Sequence, residues 1–313
     1  MTPTRLSFPR KRESNLKQTS LKRKLDPRFR GDDRRGKNQE ACTPLRSKRR
    51  LARFAGAFLL LTTAALAQVP PGVVVPDWAL PDSPTHKQVA PPPDFHREPV
   101  TSNKPIGIFE NQTDVGAALV PGDARYDAGT SSYTITSAGY NIWYTRDEFR
   151  YLWKKMSGDV SLAATVTFPD PSGFGDRKAA LVIRQGLNDD AAEALVAQHG
   201  AGMVHLARRE VQNTRIKDME YRVGSRGGLP GGATPDSLVT LHASRIGIEK
   251  KGDVLQLWVS WQGEPMHPEG APVTLRLREP FYVGIGFTSH LAATLSSATL
   301  GDVVLENRAG RVR

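Results

Sequence analysis

From residue 104 onward the chain is written in short apolar runs, interrupted every eight to twelve residues by Gly, Asp, Ser or Asn. That punctuation predicts an all-β sandwich or barrel. After the turn Ser157-Gly158-Asp159, Val160, Leu162, Ala164, Val166 and Phe168 recur at period two, so they line one face of a strand. The preceding stretch, 147–155, is helical in composition, yet Phe149, Tyr151 and Trp153 alternate, which predicts a strand paired in a hairpin with 160–168. A second hairpin is expected from 194–199 and 203–209 across Gly200-Ala201-Gly202. The clearest joins 245–250 to 254–261 through Lys251-Gly252-Asp253 and sets Ile246 and Ile248 opposite Leu255, Leu257 and Val259. With 133–135, 141–144, 179–184, 273–277, 281–287 and 300–305, about a dozen strands fill a length suited to one two-sheet domain. No repeat is visible at the periods of propellers or solenoids.

Upstream, the pattern changes three times. Residues 68–99 contain nine prolines, too many for helix or sheet, and predict an extended linker running to 104. Trp78 and the run Asp94-Phe95-His96-Arg97 are expected to pin it to the domain. Residues 48–67 read as a basic segment, a short apolar run and an Ala65-Leu66-Ala67 cleavage box, which predicts a secretory signal peptide. The apolar run is too short to span a bilayer, and no membrane span is expected after cleavage. Residues 1–47 form a basic extension. Its segments SFPRKRES and LDPRFRGDD resemble a translated intergenic repeat, so the start is expected further downstream. The folded domain is expected over 105–307, with 308–313 a tail, and the product is expected outside the cytoplasm.

Charge alters the picture by its location. The chain carries +11 overall, but residues 1–53 hold 18 Lys and Arg against 5 Asp and Glu, leaving 25 against 27 in the remainder. The basic balance therefore gives no reason to expect a nucleic-acid partner for the folded part. Cys42 is the sole cysteine, which excludes disulfides, cysteine-ligated zinc and thiol catalysis from the domain.

The order of the motifs GIFENQTDVG (107–116), YDAGTSSYTITSAGYNIW (126–143), FRYLWKKMSGD (149–159), RKAALVIRQ (177–185), RIGIEKKGD (245–253) and EPFYVGIGFTSH (279–290) resembles an uncharacterised exported bacterial family. That family belongs to the concanavalin A-like lectin/glucanase superfamily and also occurs beside Tol-type β-propellers. The resemblance implies a jelly-roll β-sandwich of two antiparallel sheets and a tendency to bind glycans on one sheet.

A glucanase of that superfamily would carry two carboxylates alternating on one strand, about 5 Å apart; the Glu-x-Asp-x-x-Glu pattern is absent. Asp218 and Glu220 are the weak catalytic candidates, and Asp189 with Asp190 form another acidic pair. Glycan binding asks only for a flat aromatic ring and planar polar groups. Trp143, Tyr144, Arg184, Gln185, His199, Arg209, Glu210 and Trp261 supply these types in or beside strands, and Trp258 and Trp261 are spaced so that at most one faces a core. Arg184, following Leu181-Val182-Ile183, is expected to pair with Glu210 or Glu249, or to line a groove. His199 and His205 flank a turn on opposite strands, without a third ligand for zinc. No cofactor is expected beyond a structural calcium held by acids among Asp170, Asp176, Asp189 and Asp190. These observations lead to an exported, non-catalytic module for a polysaccharide or envelope glycan. The alternatives are a glycoside hydrolase or lyase with an atypical acid pair, and a structural module with an envelope protein partner.

Overall fold

The computed structural model describes residues 96–221 and 243–313; the extension, the signal-like segment, most of the Pro-rich stretch with Trp78, and the loop after residue 221 lie outside them. Among the described residues there are strands and no helix. In chain order they are β1 Val100–Thr101, β2 Asn111–Val115, β3 Asp123–Asp127, β4 Ser132–Ser137, β5 Ile142–Trp143, β6 Arg146–Asp147, β7 Phe149–Met156, β8 Val160–Thr167 and β9 Lys178–Arg184. They continue as β10 Glu193–His199, β11 Val204–Arg209, β12 Lys217–Tyr221, β13 Arg245–Lys251, β14 Val254–Ser260, β15 His267–Thr274, β16 Phe281–Thr288 and β17 Ser296–Glu306.

Two antiparallel sheets result, an eight-stranded one in the order β1-β2-β7-β16-β9-β10-β11-β12 and a seven-stranded one in the order β15-β14-β13-β8-β17-β4-β3. Between them lies the main core, where Leu181, Val196 and Ile285 of the first sheet are packed with Leu162, Ile248 and Leu257 of the second. The expected hairpins β10–β11 and β13–β14 form, the latter with Ile246 against Val259 and Ile248 against Leu257.

The hairpin expected from 147–155 and 160–168 does not form. β7 pairs with β2 and β16 in one sheet, while β8 pairs with β13 and β17 in the other. The Ser157–Asp159 turn thus carries the chain from sheet to sheet, and the Gly158 amide donates to Glu279 2.7 Å away as it does so. An arch and a hairpin leave the same in-and-out alternation in sequence, so periodicity does not separate them. β15 also differs from expectation, ending where 273–277 was to begin in earnest. It is the edge strand of its sheet, a position that tolerates Pro268 and Pro272 because their missing N–H groups need no ladder partner.

Unlike a sheet with one wet face, the eight-stranded sheet is apolar on both. β9 and β10 are buried at every position, and Phe149, Tyr151, Trp153, Val182 and Leu195 form a second apolar layer on its outer face. Close fit there depends on glycine. A Cβ on Gly284, opposite Trp153, would sit 1.8 Å from the Leu152 carbonyl oxygen. Gly284→Ala is therefore expected to cost about 1–3 kcal/mol through overpacking, read as a lower urea midpoint at constant slope.

Candidate functional site

The outer layer is roofed by the β5–β6 segment and the loops around 187–191 and 211–216, and the roof is held by charge. Arg184 ends β9, Glu193 opens β10 and Arg209 ends β11; the ladder sets Glu193 opposite both arginines. Asp147 comes down on them from β6. All four side chains are 0% exposed. Arg209 donates to the two Asp147 oxygens from Nη1 and Nη2 at 2.7 and 2.8 Å, and Arg184 Nη2 lies 3.3 Å from the same carboxylate. Glu193 stands 3.3 Å from Arg184 and 3.4 Å from Arg209. The arginines also bind the roof's backbone, Arg184 donating to the Asn188 carbonyl at 2.7 Å and Arg209 to those of Ala191 at 2.9 Å and Thr214 at 3.0 Å. Burial, followed by the Asp147 charge, pushes the Glu193 carboxyl up to about 8 against the pull of both arginines. Such a network, once built, is costly to break because removing one member strands the others without water.

Asp147 and Glu193 were not singled out from sequence. A signal was present, since Asp147 continues the period-two stripe Phe149, Tyr151, Trp153, and Glu193 continues Leu195, Ala197, His199. Acids in phase with a buried stripe must be paired. Arg184 is thus paired as expected, but with Asp147 and Glu193. Glu210 is exposed and bound to Arg208 at 2.9 Å and Lys217 at 2.8 Å, and Glu249, in the other sheet, accepts from the Gly310 amide.

Beside this network, the tip of the β5–β6 segment presents an aromatic surface. Trp143 is half-buried and lies nearly parallel to the His205 ring, with centroids 5.8 Å apart and an interplanar angle of 14°. Lys178 Nζ stands 5.0 Å from the indole centroid and donates to Asn141 Oδ1. Tyr144 meets Trp143 edge-on at 6.5 Å and lies under the Arg215 guanidinium. Its φ of 48° is rare for a bulky residue, and its carbonyl is held by the Ile216 amide at 2.8 Å.

Below the indole, His205 packs edge-on against His199 at 4.9 Å, so the two histidines do meet on one face. Burial first, then His199 and Lys178, drives the His205 imidazole well below its ordinary range, and it is neutral at physiological pH. His199 Nδ1 lies 3.6 Å from Asp176; hydrogen bonding to His199, ahead of the nearby His290 charge, holds that carboxyl well below its usual range.

Other sequence candidates stand apart. The Gln185 amide clasps the Arg278 backbone at 2.6 and 3.0 Å. Trp261 packs against the inter-sheet core, whereas Trp258 is on the opposite face of β14. Asp218 and Glu220 fall on β12 with their backbones opposite Ala207 and His205; their side chains lie outside the described residues.

Among the described residues, His96, Asp189 and Asp190 are the group whose donor atoms could surround a cation. A cation is already supplied by the protein. Arg146 Nη2 lies 2.5 Å from His96 Nε2, and Arg146 stands 4.0 Å from both carboxylates. Asp189 further accepts from His96 Nδ1 at 2.9 Å and the Arg97 amide at 3.1 Å, while Asp190 accepts from Asn188 and from Gln212. The Arg146 guanidinium thus already stands among these three donors. The same contacts fasten His96 and Arg97 to the β9–β10 loop.

The topology decides the frame. The fold is an antiparallel two-sheet jelly roll. No family model matches the chain, and no curated protein sequence matches it. Solved structures similar to it include a functionally unknown protein from Saccharomyces cerevisiae, at 13% identity over 68% of this chain and 97% of that one with a TM-score of 0.43. The carbohydrate binding module CBM66 from Bacillus subtilis is similar at 13% identity over 64% and 99% with a TM-score of 0.39. An alginate lyase from Klebsiella pneumoniae is similar at 13% identity over 60% and 85% with a TM-score of 0.38. The likeness is one of frame, and the chemistry of the jelly roll must be read from its own side chains.

Proposed function

We propose that this jelly roll is an exported, non-catalytic binding module that holds a polysaccharide or cell-envelope glycan at Trp143 and Tyr144. The carrying observation is the Trp143 indole, partly exposed and braced from beneath by the parallel His205 ring. A pyranose face stacks on such a ring, and a flat support fixes its tilt without further ordering cost. Asn141 and Lys178, buried and bonded to each other, brace the ring from its side, and Arg184, Arg209 and His199 act as positioning residues beneath it. The non-catalytic reading is supported by how the convergent acids among the described residues are used. Asp147 and Glu193 are both closed to solvent and held by guanidinium groups, whereas glycoside hydrolysis needs carboxyls presented to the sugar. Export rests on the signal-like segment 48–67.

The test is retention on plant, fungal and bacterial-envelope polysaccharides, with reducing ends and unsaturated sugars assayed in parallel. Retention without release is expected, and Trp143→Ala should weaken it about tenfold, the equivalent of about 1.4 kcal/mol, while Tyr126→Ala on edge strand β3 leaves it unchanged. Sugar release by the wild-type chain would overturn the non-catalytic reading, and undiminished retention by Trp143→Ala would overturn the site.

A further inference from the structure

Lys178 and Asn141 meet where the roof lands on the eight-stranded sheet. Lys178 opens β9 and Asn141 immediately precedes β5, and the two are shut away from water, at 2% and 1% exposure. We infer that these side chains become joined by an intramolecular amide bond, Lys178 Nζ to Asn141 Cγ, with release of ammonia. The inference does not rest on glycan binding.

Three observations carry it. The first is the pairing itself. Lys178 Nζ donates to Asn141 Oδ1 and to the Ile142 carbonyl at 3.4 Å. The oxygen it touches is bonded to the carbon that it would attack. Because burial holds both side chains in place, the encounter is intramolecular and lasting, which is the condition under which a slow acyl transfer becomes a fast one.

The second is polarisation of the carboxamide. Asn141 Oδ1 also accepts from the Ile142 amide at 2.9 Å. When an amine adds to Cγ, negative charge gathers on that oxygen, and a backbone N–H already aimed at it stabilises the charge without reorganising.

The third is a route for the proton. An ammonium has no lone pair with which to attack, and seclusion from water favours the amine. His199 is the partner of Lys178 across the β9–β10 ladder. Its Nδ1 lies 3.6 Å from Asp176, a carboxyl that hydrogen bonding to His199 holds well below its usual range. His199 is thus the base beside the lysine, and Asp176 supports the imidazolium that it becomes. The Trp143 indole, its centroid 5.0 Å from Nζ, packs beside the pair and helps to keep out the water that would otherwise compete for the carboxamide.

The step needs no co-reactant. The Nζ lone pair forms the bond to Cγ, and the Cγ–Nδ2 bond breaks. The proton that Nζ gives up passes through His199 to Nδ2, which leaves as ammonia, and nothing is oxidised or reduced. The product ties the roof to the sheet across 37 positions of sequence.

The test uses the full wild-type chain, unfolded, digested with trypsin and read by mass spectrometry. A lysine in amide linkage is not cut, so residues 126–146 and 178–184 should emerge as one branched peptide, lighter than the two together by one ammonia. The variants Asn141→Ala and Lys178→Arg should yield the two segments separately. Recovery of wild-type 126–146 and 179–184 as the main products, each at its sequence mass, would overturn the proposal. So would a branched peptide that persists in Asn141→Ala, since the lysine would then be joined to another side chain. The wild-type measurement decides even where a variant does not fold.

Discussion

Asp147→Asn should lower the free energy of unfolding by about 3–5 kcal/mol, the range for breaking a buried ion pair by removal of one partner. The carboxylate it removes receives Arg209 twice and Arg184 once, and none of the four network side chains has solvent to fall back on. Urea denaturation is the measurement, with Glu210→Gln as comparison. Glu210 also pairs with two cations but on the surface, where water replaces a lost partner, and its midpoint should not move. A fall for Asp147→Asn no larger than for Glu210→Gln would show that the network is not under tension from burial. A second readout separates roof from sheet: because Asp147 ends the segment bearing Trp143, glycan retention should fall at temperatures well below global melting.

The fold should be more stable at pH 5 than at pH 8, which is unusual for a domain containing buried ion pairs. Burial, opposed by Arg97 and by the Tyr140 amide, raises the Glu148 carboxyl from 4.5 to about 7, and Glu193 is raised in the same direction. A carboxyl raised in the fold binds its proton more tightly there than in the unfolded chain. Its stabilisation is complete below about 4.5 and is lost as pH climbs through 7 and 8. For Glu148 the change is on the order of 3 kcal/mol. Two groups have the opposite sign: Asp176, held low by His199, matters only in acid below the ordinary carboxylate range, and buried His205, driven low by burial, subtracts stability as pH falls below about 6.5, offsetting part of the gain from the two raised carboxyls. Glu148→Gln keeps an acceptor for the Tyr140 amide, 3.1 Å away, and has no charge to bury. It should flatten the profile between pH 5 and 7 and raise the midpoint at pH 8. An unchanged slope would mean that Glu148 is ionised in the fold.

What was legible in the sequence is what alternation encodes. Val160, Leu162, Ala164 and Val166 face the core as their spacing requires, and the turn at Gly252 fixes the register of β13 on β14. Alternation fails where both faces are covered: KAALVIR and EALVAQH carry no period because neither side meets water, and from sequence only their apolar richness marked them as strands. It is also blind to whether a turn closes a hairpin or bridges two sheets, the point on which 147–168 was misjudged. Of the site, residue types were legible and pairings were not. Trp143 and Tyr144 stood out as aromatics near strands, and His199 and His205 as neighbours across a turn. That Arg184 would find Asp147, 37 positions away, depends on a roof whose position no local pattern records.

The roof divides sharply by burial. Asn141, Ile142, Arg146 and Asp147 are buried at its base, while Trp143, Tyr144 and Thr145 at its tip are only half so. Stability is invested in the base and contact with the outside in the tip. Tyr144 and Thr145 can therefore be exchanged while the stem, Trp143 included, stays as it is, much as a tool head is changed on a fixed shank. A lineage, or a laboratory library, could alter what this surface grips without reopening the question of whether the protein folds.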